Sequence, residues 1–217
     1  MPDALSTFIG VTSAYLLGAI PFGFLIARAR GIDIRTVGSG NIGATNVWRC
    51  VGRKWGALVY ALDMAKGIVG VAVIPDLCAN LACESAELRL RLVCGIVSVV
   101  GHNWPVYLNF KGGKGVATTA GVLLGIAPKA MGIGVVAWVL VFLAGRYVSL
   151  ASILAAVAVA VGGWFLYDES NWLRGALALL AVFAIWRHHS NIARLLKGEE
   201  HRFTFRKKTR HGEKRDS

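Results

Sequence analysis

Residues 4–27 contain no Asp, Glu, Lys or Arg, and residues 92–110 and 147–167 show the same lack of charge. Roughly 20 mainly apolar residues are enough for a helix to cross the hydrocarbon of a bilayer. A soluble domain keeps about a quarter of its residues charged. Here 17% of 217 residues are charged and the mean hydropathy is +0.56. Soluble proteins bury apolar helices, but not this many in so short a chain, so the chain is expected to be an all-α polytopic integral membrane protein. Asp3 is the only charged residue before Arg28, so the first run lacks the positive flank of a signal peptide and is too long for its apolar core. It is expected to be the first membrane helix.

Seven transmembrane helices are expected, over residues 4–27, 55–74, 92–106, 116–127, 130–145, 147–167 and 172–186. The fourth and fifth runs are short, and Pro128 is expected to stop the fourth. Five spans with two re-entrant segments would also fit. The net charge of +12 orients them. Basic segments (Arg28 to Lys54, Lys111 with Lys114, Arg146, and ten Lys or Arg between positions 187 and 215) alternate with acidic loops at Asp76, Glu84, Glu87 and at Asp168, Glu169. Positive loops stay inside, so the N-terminus is expected outside and the C-terminus in the cytoplasm. One membrane domain is expected over residues 1–205, followed by a basic tail of disordered composition at 206–217. The basic clusters abut membrane segments and carry no nucleic-acid module, so anionic lipid headgroups fit them and nucleic acid does not.

Within the apolar runs, Asp63 and Lys66 stand one turn apart and read as an ion pair that locks its helix near the inner interface. Gly121 and Gly125 form a small-xxx-small pattern suited to close helix packing. Cys50, Cys78, Cys83 and Cys94 have no zinc-site spacing. A disulfide between Cys78 and Cys83 stays open.

Three polar segments share the inner face. The first contains Gly38, Ser39, Gly40, Asn41, Thr45 and Asn46, followed by Arg49. Its glycines can expose backbone N–H groups, and Arg49 supplies a fork of donors suited to phosphate or carboxylate. Capping one helix would need fewer donors. The second contains His102 and Asn103, then Lys111, Gly112, Gly113, Lys114 and Gly115. Two lysines around two glycines make an anion cradle, and the helix that follows turns its positive end towards it. This is not a P-loop, because Gly115 stands where Ser or Thr is required. In the third, His188, Asn191 and Arg194 recur at helical spacing, with Glu200 beyond them. A helix continuing out of the membrane would aim His188 and Asn191 at one volume.

No Gly-x-Ser-x-Gly elbow is present, and none of His102, His188 or His189 has an Asp five positions later. What remains is rich in phosphate donors and poor in acids. It suits two phosphorylated substrates, one carrying its own leaving group. A transporter of a phosphorylated or anionic solute is the alternative, but the polar groups crowd one face and no two-fold repeat is visible. A membrane scaffold would leave residues 38–46 without a purpose.

These motifs resemble those of the bacterial acyl-phosphate:glycerol-3-phosphate acyltransferases over residues 5–200. The match lies in the Gly-Ser-Gly-Asn-x-Gly-Ala-Thr-Asn run from Gly38, in Gly-His-x-x-Pro from Gly101 with Lys-Gly-Gly-Lys-Gly from Lys111, and in His188, Asn191, Arg194, Gly198 and Glu200. The chain departs from the family at Ala193, where a basic residue is common. The resemblance implies transfer of a fatty acyl group from acyl phosphate to the 1-hydroxyl of glycerol 3-phosphate, the first acylation of phospholipid synthesis. It implies seven helices, a cytoplasmic site in the bacterial inner membrane, no cofactor, no metal and no protein nucleophile. Ser39 and Arg49 would contact phosphate. Lys111 to Gly115 would form the phosphate loop, with Lys114 stabilising the charge on transferring phosphate. His188 and Asn191 would orient glycerol 3-phosphate. Partners would be the two substrates and membrane lipids. The enzyme supplying acyl phosphate is a candidate partner, and no obligate protein partner is implied.

Topology is open to direct measurement. In intact cells an impermeant thiol reagent is expected to modify a cysteine placed at Glu84 and to spare one placed at Lys208; the reverse pattern would invert the orientation.

Overall fold

The computed structural model describes residues 4–81 and 87–203. Glu84, Cys83 with its pairing to Cys78, and the tail 206–217 lie outside the described residues. Every regular element among the described residues is helical. The order is α1 (Ala4–Ala19), α2 (Phe22–Ala29), α3 (Ala44–Cys50), α4 (Arg53–Ile68), a π-helical turn (Val69–Val73), α5 (Ile74–Leu81), α6 (Leu88–Asn103), a 3-10 turn (Val106–Leu108), α7 (Val116–Ile126), α8 (Pro128–Gly145), α9 (Val148–Leu166), α10 (Asn171–Arg187) and α11 (His189–Leu196). Four helical stretches are long and apolar enough to cross a membrane: Ala4–Ala29, Arg53–Ala79, Pro128–Gly145 and Val148–Leu166.

Prolines explain where these elements differ from the sequence expectation. The first run is broken at Ile20 and Pro21 into α1 and α2, because a proline ring clashes with the preceding turn and offers no N–H. Pro75, expected to open a loop, instead lies inside a helix that continues to Leu81. The π turn just before it widens the backbone, which relieves the clash a proline would make with the carbonyl four residues back. Pro128 starts α8 as its first residue, where the missing N–H costs nothing. Ser170 caps α10, its hydroxyl oxygen accepting from Leu173 N at 3.3 Å.

Glycines set the closest helix crossings. A Cβ on Gly18 of α1 would lie 2.1 Å from the Ser98 carbonyl oxygen of α6. On α7, Gly121 meets α4 so tightly that a Cβ would lie 2.0 Å from the Met64 carbonyl oxygen. In hydrocarbon the hydrophobic effect does not drive helices together, so such backbone approach and its dispersion contacts carry association. The main apolar core joins Val71, Leu92, Val99, Val122, Leu123, Val159, Leu177 and Leu180 from five of these segments. Phe8, Leu140, Leu143, Val136 and Phe165 are mostly exposed, as lipid-facing side chains are. At the α5–α6 end, Arg91 pairs with Asp76, and Arg89 lies 4.7 Å over the Trp172 ring.

The crossing makes a paired prediction. Gly121→Ala overpacks the α4–α7 contact and is expected to cost about 1–3 kcal/mol, lowering the thermal unfolding midpoint in detergent. Gly132→Ala on α8, where a Cβ meets nothing within 4 Å, is expected to leave the midpoint unchanged or raised. Equal midpoints for the two variants would remove the crossing from the account of stability.

Candidate active site

The first polar segment is a loop organised around one amide. Asn46, at the start of α3 and 2% exposed, donates from Nδ2 to the carbonyls of Ile34 (3.2 Å), Val37 (3.1 Å) and Asn41 (2.9 Å). Its Oδ1 accepts from Ser39 N at 3.0 Å. Asn41 Oδ1 accepts from Gly43 N at 2.8 Å, closing a tight turn. Both Asn side chains therefore shape the loop. Gly38 (φ 61°) and Gly40 (φ 68°) supply the left-handed backbone on either side of Ser39. The result is an exposed Ser39. Thr45 is half-buried on α3 and Arg49 is exposed on the same helix.

The second segment hangs from the end of α6. His102 is 5% exposed and Asn103 fully buried, so both lie beneath the lysine loop and not in open space. The His102 carbonyl accepts from Gly113 N at 3.1 Å. The ring presses on the same glycine: a Cβ on Gly113 would lie 2.0 Å from His102 Nε2. Asn103 lies under Gly115, where a Cβ would be 2.8 Å from its Oδ1. From above, Arg187 at the end of α10 donates to Gly113 O (Nε at 3.0 Å, Nη2 at 2.6 Å) and to Gly112 O (3.1 Å). Its guanidinium lies 5.3 Å over the Trp104 ring. The loop is thus gripped through its carbonyls, which leaves the exposed Lys111 at one edge and Lys114 at the other.

The third segment does not continue as one helix. The chain turns at His188 and α11 begins at His189. His188 is 2% exposed, with Nδ1 2.7 Å from the Ala184 carbonyl oxygen. That partner requires the proton on Nδ1 and leaves Nε2 an acceptor. Burial first, then the Lys114 charge, hold its imidazole down at about 4. Asn191 is also buried and accepts from Lys114 Nζ. Glu200 gathers the rest: it accepts from Ser149 Oγ (2.7 Å), Asn191 Nδ2 (2.7 Å) and Arg194 Nε (2.8 Å). Burial pushes the Glu200 carboxyl up, but these three donors outweigh it and hold it below the usual carboxylate range. Beyond Glu200 the chain lies across the α8–α9 junction, with Arg202 Nε donating to Gly145 O at 3.1 Å and Phe203 N to Arg146 O at 2.8 Å.

Lys114 is the electrostatic centre. Burial pushes its ammonium down to about 8, Glu200 pulls it up, and Arg194, Arg187 and Arg49 push it further down. Lys114 thus sits in the field of one carboxylate and three arginines, an arrangement that attracts an anion. Beside it a cavity of about 450 Å³ is lined by Arg35, Ser39, Gly40, Asn41, Ile42, Phe110, Lys111, Gly112 and Arg187. The first and second segments form this cavity, and the second and third form the Lys114 cluster. The lysine loop is shared by both.

Several contributors were not singled out from the sequence. Ser149 lies inside an apolar run, and only its place next to Arg146 and Tyr147 marks it. Arg187 reads as one more cation after a membrane helix, and nothing local tells that it grips carbonyls 74 and 75 positions earlier. Arg35 and Phe110 reach the cavity through loop geometry, with Phe110 at φ 61°.

Comparison with known proteins bears on this arrangement. A family model described as glycerol-3-phosphate acyltransferase matches residues 8–198. The glycerol-3-phosphate acyltransferase of Desulforudis audaxviator is 44% identical over 207 residues, covering 94% of this chain and 100% of the relative. That of Aquifex aeolicus is 45% identical, covering 89% of this chain and 97% of the relative. A crystal structure of an integral membrane glycerol 3-phosphate acyltransferase, in its glycerol 3-phosphate form, superposes with a TM-score of 0.80 at 40% identity, covering 92% of this chain and 96% of that one. Its lysophosphatidic acid form superposes with a TM-score of 0.77. With a family model over most of its length, relatives above 40% identity end to end and the same fold, the chain belongs to the glycerol-3-phosphate acyltransferase family.

Proposed function

We propose that this protein moves a fatty acyl group from acyl phosphate to the 1-hydroxyl of glycerol 3-phosphate, at a site on the cytoplasmic side of seven membrane spans. The products are lysophosphatidic acid and inorganic phosphate. The observation that carries the reading is the lysine loop, fixed by its carbonyls between His102 and Arg187 while Lys114 meets Asn191 and Glu200. The number of helical stretches (α1–α2, α4–α5, α6, α7, α8, α9 and α10) supports the span count. A single site face is supported by contact: Arg187 touches residues 112 and 113, Glu200 touches Ser149, and Phe203 touches Arg146.

The chemistry follows from the donor set. In an acyl phosphate the carbonyl carbon is already activated, so the attacking hydroxyl needs position more than a strong base. The glycerol oxygen attacks the acyl carbon, the bond from that carbon to phosphate oxygen breaks, and the hydroxyl proton passes to the departing phosphate. Charge grows on the carbonyl oxygen and the leaving group. Lys114, Arg49 and the loop N–H groups stabilise it, and Ser39 adds a neutral donor. His188 stays neutral at physiological pH and offers Nε2 to a substrate hydroxyl, while Asn191 holds Lys114 in place. The acyl chain stays between helices at the bilayer edge.

Purified protein supplied with acyl phosphate and glycerol 3-phosphate is expected to release phosphate. With acyl-CoA as donor, turnover is expected to be absent, because none of His102, His188 or His189 in the polar segments opens a His-x-x-x-x-Asp motif, and the one match to that spacing, His211 with Asp216, falls in the basic tail; sustained acyl-CoA turnover would refute the donor assignment.

Lys114 gives a sharper test. Its charged form binds phosphate, so kcat/KM for glycerol 3-phosphate is expected to fall as pH rises through about 8. Arginine keeps the charge but not the compact ammonium. Lys114→Arg is therefore expected to lose on the order of 10²–10³ in kcat, about 2.7–4 kcal/mol, and its residual activity should lack the alkaline limb. Gly113→Ala, which drives a Cβ into the His102 ring, should lose activity with every charge retained. Near-parent kinetics in both variants would take the loop out of the site.

A further inference from the structure

Asp63 and Lys66 take no part in this chemistry, yet they are 2% and 3% exposed inside an apolar helix. Ionised groups in a membrane interior are costly and mark function more often than stability. A buried ion pair can also often be replaced by apolar packing without loss of stability. Locking α4 alone therefore explains the pair poorly. What each partner touches outside α4 explains it better.

Asp63 Oδ1 lies 2.9 Å from Lys66 Nζ and 3.5 Å from His102 Nδ1. His102 is the residue whose ring and carbonyl both bear on Gly113. Lys66 Nζ donates to the Ile20 carbonyl at 3.0 Å, at the break between α1 and α2, and lies 5.6 Å from the Phe22 ring. One residue beyond Phe22, Gly23 abuts the first polar loop so closely that a Cβ would lie 1.8 Å from the Ile42 carbonyl oxygen. Ile42 lines one wall of the 450 Å³ cavity, and Gly112, next to Gly113, lines the other. The two walls come from segments some 70 positions apart in the chain and share one buried anchor.

We infer that Asp63, Lys66 and His102 are positioning residues that set the spacing between the Ser39 wall and the Lys111–Gly113 wall, and so the place of the substrate phosphate. The inference rests on reading residues 111–115 as the phosphate loop. Asp63 reaches that loop through His102, and Lys66 reaches the opposite wall through Ile20 and α2. None of the three has to touch substrate. An error of about 1 Å in such spacing is enough to cost on the order of 10²-fold in rate.

The test is a pair of kinetic double-mutant cycles in purified protein. Asp63→Asn/Lys66→Met removes both charges together, so no unpaired ion is left behind. It is expected to insert, to unfold within a few degrees of the parent, and to lose at least tenfold in kcat/KM. Combined with Gly113→Ala, which displaces the same His102 ring, the loss should be well short of the product of the separate losses. Combined with Arg49→Lys, which lies off this route, the losses should multiply. Parental kcat/KM in the neutral pair, or multiplication in both cycles, overturns the inference. If the neutral pair fails to insert, Lys66→Arg takes its place in both cycles under the same criteria. It keeps the charge but changes the head that meets Ile20. A parent without acyl-phosphate turnover, or a harmless Gly113→Ala, would instead overturn the phosphate-loop reading itself.

Discussion

Cations brought together for a phosphate repel one another before the phosphate arrives. Arg49, Arg187 and Arg194 all lie within electrostatic reach of Lys114, and burial weakens the solvent screening that would otherwise separate the charges. Glu200 is the counter-charge that makes the grouping tenable. It also fixes geometry, because its three donors come from α9 (Ser149) and from one face of α11 (Asn191 and Arg194). Asn191 then passes the constraint to Lys114. Arg187 lies outside this hydrogen-bonded set and spends its guanidinium on backbone carbonyls, which lets a cation serve as a clamp while its charge still adds to the field.

The membrane fold serves this end of the molecule through rigidity. The α1–α6 and α4–α7 crossings bring backbones together at Gly18 and Gly121 with no side chain between them. The loop carrying Lys114 joins α6 to α7, and the loop carrying Ser39 runs from α2, which follows α1, to α3, which leads into α4. Close crossings have few alternative arrangements, so the loop anchors inherit a narrow range of positions. The break at Pro21 and the π turn before Pro75 lie on the same pairs and depart from ideal helix where packing compensates for them.

Most of the architecture was legible because membrane helices announce themselves by composition. The positions of the apolar runs agree with the observed helices to within a few residues, except where proline was involved. Pro75 looked like a terminator because the π turn that accommodates it lies where Gly70 packs against Ser98 of another helix, a contact absent from local sequence. The site was legible as three segments but not as a division of labour. Asn46, His102 and Asn103 look from sequence like ligand donors, and the fold places all three below the surface, where Asn46 bonds three loop carbonyls and the His102 carbonyl holds Gly113. Polar residue type and spacing are the same for a group that holds a loop and for one that faces the site, so local sequence does not separate them. Ser149 was invisible because a hydroxyl at the end of an apolar run has no distinguishing pattern.

Glu200 follows every helix among the described residues. During synthesis Arg49, Lys114, Arg187 and Arg194 are therefore all translated before the carboxylate that balances them. A nascent chain passes through a stage in which its helices are in the bilayer but its cations are unmatched and α11 has nothing to close against. Assembly of the anion site is thus a late event in biogenesis, completed only when Glu200 has left the ribosome and folded back onto Ser149. A chain stopped short of that residue would carry all the described helices and still hold an open, self-repelling cluster at the mouth of the site.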